Sequence, residues 1–235
     1  MLGFASLFRE DARMRLRAVA AVVVVFAGAT LAGQGVPHVQ RPFVPVDEGV
    51  KNPGLFAFRA ALQTAIARRD VEGLMSRVHS DVRAGFGEQD GIAAFRETYH
   101  PERAESSMWA ELAEVLALGG KFIAPHTFEA PYVSAAWPPD VDGFEHVAVV
   151  AEAVRVRAAP GPLARQIGTV GFEILPLGET ALARGIRQDD EWTSVRFGGR
   201  EAFIATRYLR VASGFRAVFA FEQGRWQMVA FVAGD

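Results

Sequence analysis

The 235-residue sequence contains no cysteine. That absence excludes disulfide bonds, thiolate metal ligands, a lipidated cysteine behind an export leader and every mechanism with a cysteine nucleophile. Histidine is sparse as well. His38, His79, His100, His126 and His146 stand far apart, and none has another histidine at the i, i+4 spacing that helical zinc sites use. No metal or cofactor is expected. Nor is there a block of Lys and Arg interleaved with aromatics, and the formal net charge is -2, so a nucleic-acid partner is not expected either. Solenoid or propeller repeats are lacking, as are low-complexity tracts beyond the leader. What remains is a chain that is 50% hydrophobic and 22% charged, the composition of one or two packed domains rather than of a disordered protein.

Residues 18–32 carry no charge and follow Arg13, Arg15 and Arg17, the layout of a secretory signal peptide. Thr30 and Ala32 supply the small residues of a cleavage site, with Ala27 and Ala29 as a second choice, so residues 1–32 are expected to be removed and the mature chain to begin near Gly33. An uncleaved anchor is the alternative, although the run is shorter than the roughly 20 apolar residues a membrane span needs. Glu10 and Asp11 precede the basic residues, which is unusual for a leader and leaves Met14 as an alternative start. Losing four basic and two acidic residues would take the net charge from -2 to -4. A periplasmic or secreted location follows, with no membrane contact after cleavage.

Residues 33–53 hold Pro37, Pro42, Pro45 and Pro53 without a sustained apolar period and read as a linker. Beyond them Leu55, Phe58, Leu62, Ala65 and Ile66 recur at three-to-four spacing, predicting an amphipathic helix that stops near Arg69. Asp70 is a suitable N-cap for a second helix bearing Val71, Leu74, Met75 and Val78. A short strand and turn are expected over 81–87. A third helix carries Ile92, Phe95 and Tyr99 and ends before Pro101, and a fourth spans 108–118, with Ser106 or Ser107 as cap, Leu112, Val115 and Leu116 as its buried stripe and Gly119 as its stop. Strands are expected over 121–128 and 132–136. Residues 54–144 thus form a helical α+β domain whose helices need a sheet to cover them.

From Val147 the period changes to alternation. Val147, Val149, Val154 and Val156, then 167–170, 173–177, 192–197 and 202–204 read as short strands between Gly and Pro turns, the density of a small barrel or sandwich. Residues 215–221 and 225–232 flank Gln223-Gly224 and predict a β-hairpin with a tight turn. Its side chains Phe219, Phe221, Trp226, Met228 and Phe231 carry more apolar surface than a free hairpin keeps in water. Residues 214–232 are therefore expected to pack on the N-terminal domain, which makes the strands before them an insertion. The fold class is α+β.

Within 147–210 the order of short motifs resembles the bacterial SH3 domain. Val154-Arg155-Val156-Arg157-Ala158-Ala159-Pro160 is similar to that family's opening strand and turn, and Ile167-Gly168-Thr169-Val170-Gly171 to its second element. Trp192-Thr193-Ser194-Val195 matches its central Trp-x-x-Val strand, Gly199 the following hairpin turn, and Phe203-Ile204 through Tyr208-Leu209 its close. Arg155, Ala159 and Ala202 depart from the Asn, Gly and Gly common in the family, which affects loop detail. The resemblance implies a small closed barrel filled by Val156, Ile167, Val170, Ile174, Val195, Ile204 and Leu209. The segment 179–191 is polar enough to be a solvated loop. The helical part, ending in a Gly-Arg-Trp hairpin, is loosely similar to NTF2-like domains, with no motif residue to carry over.

Bacterial SH3 domains are often joined to cell-wall peptidases, whose chemistry requires particular residues. The missing cysteine removes one peptidase class, the missing histidine pair another, and no Gly-x-Ser-x-Gly elbow is present. Ser76 or Ser80 with His79 and Asp81 cannot converge as a triad, because neighbours in the chain point in different directions. Glu111 and Glu114 share a helix side and are the obvious carboxylate pair for glycoside chemistry, but Leu112, Val115 and Leu116 claim the buried stripe and leave the acids outward. No enzyme activity is expected. A barrel this small cannot bury all of Phe172, Trp192, Phe203 and Tyr208, so these four are the candidate ligand-binding residues. The resulting expectation is an exported, non-catalytic binding or scaffold protein that contacts peptidoglycan or an envelope protein. The alternative is an NTF2-like pocket or enzyme in the helical domain, with Asp81, Tyr99 or His100 at its mouth.

Overall fold

Asn52 is extended, its side-chain oxygen accepts a 2.9 Å hydrogen bond from the Leu55 amide, and Pro53 fills the first helical position, so helix α1 (Pro53–Arg68) starts there. Arg69 in the left-handed region ends it. Asp70 then accepts from the Gly73 amide at 2.9 Å and opens the short α2 (Val71–Met75). Strand β1 (Val78–Arg83) follows, then α3 (Ile92–Tyr99), α4 (Met108–Ala117) and the hairpin β2 (Lys121–Ala124) and β3 (Thr127–Ala130). Next come α5 (Tyr132–Ala135), β4 (His146–Val149), β5 (Val154–Arg157), β6 (Gln166–Val170), β7 (Ile174–Pro176), α6 (Glu179–Arg184), β8 (Trp192–Phe197), β9 (Arg200–Ala205), β10 (Leu209–Arg210), β11 (Arg216–Glu222) and β12 (Arg225–Val232). This computed structural model describes residues 38–85, 90–186 and 190–234. The expected signal peptide 1–32, its cleavage site and the alternative start at Met14 lie outside the described residues. Among the described residues no helix is long and apolar enough to cross a membrane.

The architecture is α+β. One sheet has the order β1-β12-β11-β3-β2, with β1 parallel to β12 and the other pairs antiparallel. Helices α1 and α4 lay Leu55, Leu62, Leu112 and Leu116 against Phe128, Phe219, Met228 and Phe231 of this sheet, and Phe95 of α3 joins the same core. Its two middle strands, β11 and β12, come from the end of the chain and turn at Gln223-Gly224, where both residues have positive φ. Residues 132–136 do not form the expected strand. The Ala135 amide donates to the Pro131 carbonyl and the Ser134 hydroxyl donates to the same atom, closing the helical turn α5.

The strands between β3 and β11 pair only among themselves, but they do not form one closed barrel. They make a three-stranded sheet, β10-β4-β7, and a four-stranded sheet, β6-β5-β9-β8, joined at the isolated bridge between Leu177 and Val195. Two kinks mark two of the crossings between the sheets. Ala153 (φ 53°), between β4 and β5, and Phe172 (φ 45°), between β6 and β7, both adopt the left-handed conformation, and at each the chain leaves one sheet for the other. Val156, Val170, Val195, Ile204 and Leu209 are buried in the shared interior with Ile167 partly buried against them, but Ile174 is not among them. Leu175 takes that place, because neighbouring residues of a strand face opposite ways. Ile174 packs instead with Phe43, Tyr132, Val133 and Val141 in a third cluster. The segment 179–191 is not wholly loop either: it opens with α6, whose Ala181 is buried.

The described part of 33–53 is a packed strap, not a loose linker. The Phe43 amide donates to the Phe172 carbonyl at 2.6 Å and the Ile174 amide donates to the Arg41 carbonyl at 2.9 Å, so the strap runs beside β7. His38 Nε2 lies 2.6 Å from a carboxylate oxygen of the buried Glu173, and the His38 ring stacks on Phe197 with centroids 4.6 Å apart. Arg41 donates two 2.8 Å hydrogen bonds to Asp140, which hold that carboxyl below its ordinary range. Farther along, Asp47 accepts at 2.6 Å from Arg59 of α1, a guanidinium otherwise enclosed by the Phe128 ring and the Leu116 carbonyl.

Tyr132 in the third cluster is fully buried and its hydroxyl has no hydrogen-bond partner, and burial pushes the phenol up to about 12. Tyr99, whose hydroxyl donates to the carbonyls of Ala84 and Phe231, is likewise pushed up to about 12 by burial. Both phenols keep their protons in the folded state after the unfolded chain has lost them near the ordinary value of 10.0. These two groups therefore leave stability undiminished below pH 10 and lower it as pH rises from 10 to about 12, because the unfolded phenols ionise first. Tyr132→Phe is expected to leave the neutral-pH stability unchanged or raise it by about 1–3 kcal/mol, since it removes a buried hydroxyl that bonds nothing. Urea midpoints of both proteins at neutral pH test this, and a clear loss in the variant would mean the hydroxyl does find a partner.

Candidate binding groove

Trp192 opens β8 and Tyr208 ends the 3-10 turn Thr206–Tyr208, and both are held by the same local lock. The buried hydroxyls of Thr193 and Thr206 meet at 2.8 Å, and the Thr206 amide donates to the Glu191 carbonyl at 3.0 Å. These two bonds clip the turn to the start of the strand. β5 supplies the next two side chains: Val154 and Val156 point into the core, so Arg155 and Arg157 point out. The Arg157 guanidinium lies over the Trp192 ring at 5.8 Å and donates to the Ala164 carbonyl at 2.6 Å. Arg207 covers the Tyr208 ring at 4.7 Å and donates to its hydroxyl at 3.1 Å.

Opposite these residues runs α4. Val115 and Leu116 are buried, which turns Glu111 and Glu114 away from the helical core and into a groove of about 1200 Å3 that α4 shares with β5, β8 and the 3-10 turn. Glu114 accepts at 2.7 Å from Arg210, an ion pair that ties the helix to β10 across the groove. Glu152 and Glu191 line the same space. The acids are thus outward with respect to the helices, as the apolar stripe requires, yet they face another part of the same protein.

Of the four candidate residues, Trp192 and Tyr208 line this groove, and Phe172 and Phe203 do not. Phe172 is the left-handed residue of the β6–β7 kink, and its carbonyl receives the strap. Phe203 is half-buried on β9, across from Arg157 and Ser194. The arginines of the groove were missed by sequence reading, although the alternating Val-Arg-Val-Arg of β5 carried the signal of a strand with a charged outer face. For the pocket in the helical part, Asp81, Tyr99 and His100 are not gathered around a cavity. Tyr99 is wedged between Phe95 and Phe231, His100 ends α3 in the left-handed conformation, and Asp81 is exposed on β1. The space between helices and sheet is filled by Leu62, Phe95, Leu112, Phe128, Phe219 and Phe231.

Among the described residues no three His, Asp or Glu side chains gather as metal ligands would. No protein-family model, no curated protein and no solved structure matches this chain.

Proposed function

We propose that the protein is an exported, non-catalytic binding or scaffold protein of the cell envelope, in which residues 147–210 are a bacterial SH3-type module and the helical part supports it. The ligand is peptidoglycan or an envelope protein, and it lies in the groove between α4 and the module. The observation that carries this reading is the groove itself: two aromatic rings, each backed by an arginine, face a helix that presents carboxylates. The filled interior of the helical part favours a supporting role over a small-molecule pocket there. The split of the module into two sheets is compatible with an SH3-type arrangement, since small barrels of that kind are themselves two sheets packed face to face.

The test is retention on purified sacculi. The full chain is expected to be retained and the double variant Trp192→Ala, Tyr208→Ala to bind at least about tenfold more weakly, because aromatic anchors carry much of the energy of such sites. Equal retention of both proteins would remove the groove from the proposal, and no retention of either would remove the wall as the ligand.

A further inference from the structure

The strap is bonded first to the module and then to the helical part. On the module side the Phe43 amide donates to Phe172 and the Ile174 amide donates to Arg41, while just ahead of β2 the Gly120 amide donates to the Val46 carbonyl at 3.0 Å and the Glu48 amide to the Gly120 carbonyl at 2.9 Å. Between the two sets lie Val44 and Pro45, both exposed. Phe43 sits at the joint: its ring is 5.1 Å from that of Tyr132 and 5.6 Å from that of Trp137, both in the connection from β3 to β4, and it shares the third cluster with Ala148 and Ile174 of the module. Otherwise the chain itself passes between the two parts over 131–145 and 211–215. The strap is thus a third tie across the same joint.

The outer end of this tie is held differently from its middle. His38 is fixed by its contact with Glu173 and its stack on Phe197, and the next two residues, Val39 and Gln40, are exposed. Glu173 is only 2% exposed, and His38 is its one charged partner within 4 Å among the described residues. Lifting His38 away leaves that carboxylate to be rehydrated, a cost that separates a closed strap from an open one. We propose that residues 38–43 are a latch that fixes the module on the helical part. It opens from His38 toward a hinge at Val44 and Pro45, and opening lets the module swing on its two remaining connections and widens the groove beside α4. None of the strap residues lines that groove, so its access is set from a distance, whatever the groove binds.

Because the sequence has no cysteine, spin labels attached through Gln63→Cys on α1 and Leu163→Cys on the module, both exposed positions, report the distance between the two parts. Pulsed dipolar spectroscopy on the full labelled chain is expected to give one narrow distance, and His38→Ala or Phe43→Ala added to it to broaden that distance or bring in a second one. In the same variants the amides of residues 43 and 174 are expected to exchange at least about tenfold faster than in the parent, while those of α1, β8 and β9 keep their protection. A distance that stays narrow although the Ile174 amide has been freed overturns the latch, because the strap then leaves without the module moving. An unchanged Ile174 amide in His38→Ala overturns the assignment of His38 as its opening end. A measurement without any strap substitution bears on the same point: in the parent the amides of Phe43 and Ile174 are expected to exchange at least about tenfold faster than those of Glu48 and Gly120, and equal rates would mean that the strap does not open from its module end.

Discussion

Truncation after Ser213 is expected to unfold the helical half of the protein and to leave the strands from β4 to β10 paired. The lost residues form β11 and β12, the second and third strands in the order of the five-stranded sheet, and without them β1 has no neighbour and the β2–β3 hairpin stands alone. Phe219, Met228 and Phe231 are fully buried and Trp226 nearly so. At about 1.5–3 kcal/mol for each such side chain, the burial of the four is worth about 6–12 kcal/mol, as much as the roughly 5–15 kcal/mol that separates a typical domain from its unfolded state. The strands of the inserted part have no ladder partner in β11 or β12, so nothing in their pairing requires the deleted chain. Amide exchange on the truncated protein is the measurement. Amides of α1 and α4 should exchange freely while those of β5, β8 and β9 stay protected; protected helices would show that the hairpin is dispensable.

Asp47→Ala is expected to cost about 3 kcal/mol, at the lower end of what removing one partner of a buried ion pair costs. The Arg59 side chain is only 8% exposed and Asp47 is its one carboxylate contact within 4 Å among the described residues, while Asp47 itself is 31% exposed. The variant strands a positive charge between α1, the Phe128 ring and the Leu116 carbonyl, and it also removes the acceptor for the Gly49 amide at the start of the 3-10 turn Glu48–Lys51. Combining it with Arg59→Met, which fills the same space without a charge, should recover most of the loss. Urea midpoints of the three proteins at neutral pH decide the matter. An unchanged midpoint in Asp47→Ala would mean that water reaches the guanidinium.

Where chain chemistry is local, the sequence told where elements begin and end. Asp70 caps α2, α3 ends before Pro101, α4 ends just before Gly119, and the hairpin turns at Gln223-Gly224. Each of these signals acts within a few residues, through a cap, a missing amide donor or a positive φ. Alternation also placed most of the module's strands. What it could not tell was which sheet each strand would join, because period two assigns side chains to faces and not to partners. Hence one barrel was expected and two sheets are found, and Ile174 was assigned to an interior that Leu175 fills.

The strap and the groove were hidden for a related reason. Pro42 and Pro45 made residues 33–53 look unstructured, yet a segment without its own periodicity is ordered if distant carbonyls and amides, here those of Phe172 and Ile174, receive it. Glu111 and Glu114 were rightly seen as excluded from the helical core, but the sequence carried no sign that Arg210 and β5 would stand opposite. Of the four aromatics weighed as ligand contacts, only the two flanking the Thr193–Thr206 lock reach the groove.

The pairing of β4 with β10, Val149 opposite Leu209 and Ala148 opposite Arg210, has a consequence for the order in which the chain finds its shape. It brings the two ends of the intervening segment side by side, so that once the module has folded, β3 and β11 leave it close together. Their own pairing, Ala130 with Ala217 through Thr127 with Ala220, joins residues far apart in sequence and would otherwise carry the full entropic cost of closing a long loop. A module that forms first removes most of that cost and acts as an internal nucleus for the sheet around it. The helical half is synthesised first, yet its sheet cannot be complete until β12 emerges and takes its place between β1 and β11.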